Sequence, residues 1–175
     1  MVADQDWERN ETVVRQLAFA VLITLASASY VRADECDTVA ASLGEQVPQM
    51  QVSDRIAGDQ TVTVNLKHPD AAELSVTCTN NDVHETAELT ARWDATWPPS
   101  RFYDLVAAAG AVVAAQREPA IRGGAVLCAQ RAMTAEGNTA VYNVNRTHFE
   151  CTTTTGVGAS TRIRISKLRQ EIPPQ

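Results

Sequence analysis

Four cysteines set the tightest limit on what this chain can fold into: Cys36, Cys78, Cys128 and Cys151. In an exported protein an even number of cysteines reads as a disulfide framework, whereas in a reducing compartment the same residues read as metal ligands or reactive thiols. None of the four lies in a C-x-x-C pair, the spacing favoured both by structural zinc sites and by thiol–disulfide enzymes. Structural disulfides are therefore the expected use. Sequence alone leaves the alternative pairings open, and Cys36–Cys78 with Cys128–Cys151 is preferred because it closes the shorter loops.

The N-terminus supports the oxidising reading. Residues 17–31, LAFAVLITLASASYV, form an apolar run preceded by Arg15 and followed by Arg32-Ala33. A run of this length suits the core of a signal peptide and is short for a membrane span, which needs roughly 20 apolar residues. Val31 and Ala33 fit a cleavage site after Ala33, and Ala26-Ser27-Ala28 offers a second. The flank departs from the usual pattern, because Asp4, Asp6, Glu8 and Glu11 outnumber Arg9 and Arg15. An uncleaved anchor is the competing reading, and only in that case does the chain meet a membrane. The expected organisation is a signal peptide over 1–33 and a single domain over 34–175, in the periplasm or secreted. The short alanine-rich segment favours a bacterial envelope.

The chain of 175 residues, 45% hydrophobic and 21% charged, can bury a core. With aromatics at only 5%, alanine, valine and leucine must supply most of it. A net charge of −6 argues against non-specific nucleic-acid binding, which normally needs a basic face.

Periodicity then divides the domain. Phe102, Leu105, Val106, Ala109, Val112 and Val113 recur at helical spacing, with Pro98-Pro99-Ser100 as a start signal and Pro119 as a stop. An earlier stretch, CDTVAASLG from Cys36, resembles YDLVAAAGA from Tyr103; each places an aspartate near a helix start. Strand character appears at 61–67, 73–79 and 87–93 in one half. In the other half it appears at 125–131, 140–153 and 161–167, although 125–131 is brief enough to be a helix. Leu89, Ala91 and Trp93 alternate with Thr90, Arg92 and Asp94, the signature of a sheet with one buried face. The fold class expected is α+β, mostly antiparallel sheet with helices on one face. Two copies of a helix-plus-three-strand unit, over 34–99 and 100–168, are the suggested plan, with Cys78 and Cys151 in matching places.

Chemistry is harder to find. The stretch TTTTGVGAST after Cys151 lacks the lysine of a phosphate-binding loop and the third glycine of a dinucleotide fingerprint, so it reads as a turn between strands. His68, His84 and His148 form no close metal pair, and no G-x-S-x-G is present. No catalytic residue, metal or cofactor is assigned. Asn10 and Asn145 head glycosylation sequons, which matter only on a eukaryotic secretory route.

Two groups of residues suit binding. Trp93, Trp97, Phe102 and Tyr103 concentrate the aromatics in one connection, either as an interface or as the core between the halves. Arg162 and Arg164 share one face of the last strand and suit an acidic partner, or form a solvated face. The expectation is a non-catalytic binding or accessory protein whose partner, protein or small molecule, the sequence does not specify. A periplasmic hydrolase using one of the three histidines is the alternative, and a membrane-anchored subunit of an envelope complex a third.

Overall fold

The computed structural model describes residues 34–81 and 84–168. The expected signal peptide, the Asn10 sequon and the tail beyond Leu168 lie outside the described residues. Helix α1 (Asp34–Gln46) leads into four strands: β1 (Gln51–Ala57), β2 (Thr61–Lys67), β3 (Glu73–Asn81) and β4 (His84–Trp93). Two helices follow, α2 (Ser100–Ala114) and α3 (Glu118–Thr134), and then β5 (Thr139–Val144), β6 (Thr147–Thr154) and β7 (Ser160–Lys167). All pairings are antiparallel, in the order β1-β2-β3-β4-β7-β6-β5. The fold is α+β and antiparallel, as the alternating patterns implied, and the strands form one continuous sheet.

Alternation decides which face is covered. Inward side chains such as Val64, Val76, Leu89, Ile165 and Phe149 are buried, and they follow one another across five neighbouring strands. Above them α2 lies on β4 and β7, while α3 lies on β5 and β6. Helix α1 buries Cys36, Ala40 and Leu43. It is joined to β3 by Cys36–Cys78, and α3 is joined to β6 by Cys128–Cys151, with Cα separations of 5.7 and 5.8 Å. These are the pairings expected from loop length. Both separations sit in the normal range for a disulfide.

Three local expectations need correction. The segment 125–131 is part of α3, not a strand. Helical spacing extends over Ile121, Gly124, Ala125, Cys128, Ala129 and Ala132, all buried, and Pro119 sits in the first turn where its missing N–H costs nothing. Pro119 thus opens α3 rather than simply closing α2. Gly124 is required by packing: a Cβ there would stand 2.5 Å from the Phe149 ring.

The second correction is the supposed long strand over 140–153, which is a hairpin. Asn145 and Arg146 both take positive φ, at 48° and 63°, so the chain reverses between β5 and β6. The third is β1, which no alternation announced because all seven of its residues are exposed.

The halves are consequently unequal: one helix with four strands against two helices with three. They meet where β4 pairs with β7, and Cys78 and Cys151 each lie on the strand one place out from that seam.

Candidate functional site

The sheet face away from the helices is open. Its outward residues come from the same alternation that buries the core, so β7 contributes Arg162, Arg164 and Ser166 while burying Thr161, Ile163 and Ile165. Antiparallel register carries these residues into rows. Arg162 stands opposite Arg92 and Thr152, and Arg164 stands opposite Thr90 and Glu150.

Arg164 is the centre of this face. Its Nη2 lies 2.7 Å from Glu88 Oε1 and its Nη1 lies 3.3 Å from Glu150 Oε2, one carboxylate on each flanking strand. The hydrogen bond to Glu88 holds the guanidinium pKa above its ordinary value, against a smaller opposing effect of burial. Arg162 and Arg92 would repel across the β4–β7 pair, but both reach Glu73 Oε2, at 3.6 and 2.9 Å; Arg92 also pairs with Asp94. Two polar depressions, of about 260 and 330 Å³, lie on either side of Arg164. Thr90, Ser75 and Thr152 hydroxyls line the first; Thr77, Thr86 and Ser166 hydroxyls line the second.

The arrangement offers hydrogen-bond donors and acceptors of both charges on a preformed surface. Exposed ion pairs of this kind contribute only about 0–1 kcal/mol each, so an incoming partner can exchange them at small cost. Glu73, Glu88 and Glu150 were not singled out in the sequence. Each is an ordinary outward strand residue until the register sets it beside an arginine.

The aromatic group divides. Phe102 is fully buried, with the Trp93 ring centroid at 6.1 Å and the Tyr103 ring edge-on at 5.6 Å. Trp93 and Tyr103 are half-buried, and the Arg101 guanidinium lies 5.7 Å from the Trp93 centroid. These three aromatics fasten the first turn of α2 to the end of β4. Burial also pushes the Tyr103 phenol pKa above its ordinary value. Trp97 alone is displayed, at 73% exposure. Its loop is held by Thr96 Oγ1, which donates to the Thr154 carbonyl at 2.8 Å, and by Thr161 Oγ1, which donates to the Thr96 carbonyl at 2.9 Å. Trp97 therefore belongs to the end of the sheet where the Arg92–Arg162 row also lies.

The glycine-threonine stretch is the β6–β7 turn. Gly156 and Gly158 both have positive φ, and Thr154 Oγ1 spans the turn, donating to the Gly158 carbonyl at 3.1 Å and accepting from Ser160 N–H at 2.8 Å.

Two of the three histidines are engaged structurally. His68 Nδ1 accepts from the Asp70 N–H at 3.1 Å, leaving Nε2–H to donate to the Pro48 carbonyl at 3.0 Å. His148 Nδ1 lies 2.8 Å from Asn143 Oδ1. Ser166 is opposite His148 in register, but no hydrogen bond joins them. The side chain of His84 lies outside the described residues. All four sulfurs are in disulfides. Among the described residues no group of three His, Cys, Asp or Glu side chains is placed to hold a metal, and no helix is long and apolar enough to cross a membrane.

No protein-family model, curated protein or solved structure matches this chain.

Proposed function

We propose that this is a small exported, disulfide-stabilised accessory protein of the bacterial cell envelope that binds a protein partner, without catalysis, through the open face of its sheet. One observation carries the reading: Arg164, flanked by Glu88 and Glu150, stands on an interior strand of a sheet whose opposite face is occupied by helices. The two disulfides fit an oxidising, extracytoplasmic compartment. Small-molecule sites are concave and mostly apolar. The depressions beside Arg164 are lined by hydroxyls and charges instead, which favours a polar protein surface as the occupant. Trp97, on the loop at the Arg162 end of the sheet, supplies an apolar anchor of the kind that dominates protein interfaces.

The test is a photo-crosslinking residue placed at Arg162 in the exporting cell, with Gln130 on the outer side of α3 as the control position. The expected outcome is one discrete higher-mass adduct from position 162 and none from 130. Equal labelling at both, or none at 162, refutes the reading. The intact mass of the same exported protein tests the signal peptide, since cleavage after Ala33 removes the apolar run.

A further inference from the structure

The two edges of the sheet are protected differently. At one edge β5 is backed by α3, and the Arg131 guanidinium lies 4.6 Å from the Tyr142 ring centroid. At the other edge all seven residues of β1 are exposed, and Val52 and Ile56 each remain 57% accessible; the strand meets α1 through the Arg55–Asp37 ion pair. A strand in that position presents a row of N–H and C=O groups that no neighbouring strand pairs, a template on which another polypeptide strand can add.

The β1–β2 turn fixes which groups those are. Gly58 N–H donates to the Thr61 carbonyl at 2.7 Å, so Gly58 and Thr61 are a hydrogen-bonded pair. The antiparallel alternation then makes Ile56–Thr63 a hydrogen-bonded pair as well, and turns the N–H and C=O of Arg55 and Ala57 outward.

We propose that a second copy of this chain pairs antiparallel with β1, with Ile56 of one protomer opposite Ile56 of its partner. In this register Arg55 faces the partner's Ala57 and the reverse, so the two strands exchange four backbone hydrogen bonds. The isoleucines form the central non-hydrogen-bonded pair, the closer-packed kind. No like charges oppose each other: Asp54 faces the partner's Gly58, and Arg55 keeps its own ion pair with Asp37 at 3.0 Å. Sliding the strands one way sets Arg55 against its own copy; sliding them the other way runs into the turn at Asp59. The register shift between Val52 and Asp54 ends the ladder on the far side. The contact is therefore short, below the roughly 1,000 Å² of a stable interface, and the dimer is weak and concentration-dependent. Its twofold axis is perpendicular to the sheet, which leaves both open faces on the same side. That consequence bears on the proposed function, but the pairing itself does not depend on it.

Sedimentation equilibrium of the exported protein tests the pairing. The expected result is a monomer–dimer equilibrium that Ile56→Lys and Arg55→Pro each weaken at least tenfold, an effect of more than about 1.4 kcal/mol. Proline at 55 removes an outward N–H and leaves the β2 ladder intact. Val141→Lys, on the opposite edge, leaves the equilibrium unchanged, and circular dichroism confirms that all three variants fold. A protein that is monomeric at every concentration overturns the proposal, including one whose β1 is occupied by a different protein. So does a dimer that survives both β1 substitutions or dissociates equally on Val141→Lys. A dimer without crosslinks at Arg162 would sink the partner-binding reading alone.

Discussion

The β1 side and the β6 side of this sheet follow opposite rules. On β6, Thr147, Phe149, Cys151 and Thr153 are buried in strict alternation beneath α3, and a disulfide joins that strand to the helix. On β1 nothing is buried, and the strand is held by hydrogen bonds to β2 and by the Arg55–Asp37 pair. The same backbone geometry serves both strands. What differs is whether one row of side chains is buried, and with it how much each side chain contributes to stability.

Substitution pairs sharpen that contrast. Phe149→Ala removes a fully buried ring packed on Gly124, and is expected to cost about 3–5 kcal/mol in chemical denaturation. Val52→Ala, on an exposed strand, is expected to change stability by no more than about 0.5 kcal/mol. Comparable losses at both positions would mean that β1 is covered in solution.

The disulfides come next. Each is expected to contribute roughly 3–4 kcal/mol through loop closure, given sequence separations of 42 and 23 residues. Their loss should differ in kind rather than in size. With Cys36 and Cys78 both replaced by alanine, limited proteolysis should open α1 and β1 first while β5 to β7 stay protected. The corresponding Cys128 and Cys151 variant should lose protection across α3, β5 and β6 together. Identical cleavage patterns would break the distinction between the two sides and make the sheet one cooperative unit.

The smallest effect concerns Tyr103, at the seam between the halves. Burial raises its pKa, so the folded state keeps the phenolic proton at pH values where the unfolded chain releases it. Above about pH 10 the unfolded state binds fewer protons, and stability falls as pH rises toward the folded pKa; below that it is fully present. Melting temperature should therefore decline more steeply on the alkaline side for the native protein than for Tyr103→Phe. Parallel curves would show that this residue is no better shielded than an ordinary surface tyrosine.

How much of this was legible follows from where the burial is. Strand β2 over 61–67 and the core of α2 could be read because their apolar residues recur with the period of the element that buries them. Strand β1 could not, because an edge strand exposed on both sides leaves no period. Helix α3 was obscured by its glycines, one of which is there for the Phe149 ring rather than for the helix. Arg162 and Arg164 were visible as one strand face, but their partners were not: Glu88 and Glu150 are 76 and 14 residues from Arg164. Among the aromatics, composition marked the cluster, and only packing separated buried Phe102 from displayed Trp97.

By itself the sequence determined the antiparallel α+β class, through alternation and helical spacing, and it favoured the disulfide pairing that closes the shorter loops without fixing it. Alternation and helical spacing are short-range properties written in neighbouring residues. The tertiary structure alone decided that the two halves join through β4 and β7, that Arg164 is set between two carboxylates, and that β1 is left bare while β6 is sealed. Those depend on register and on which helix lies over which strand, and both are settled only when distant segments compete to bury the same apolar face.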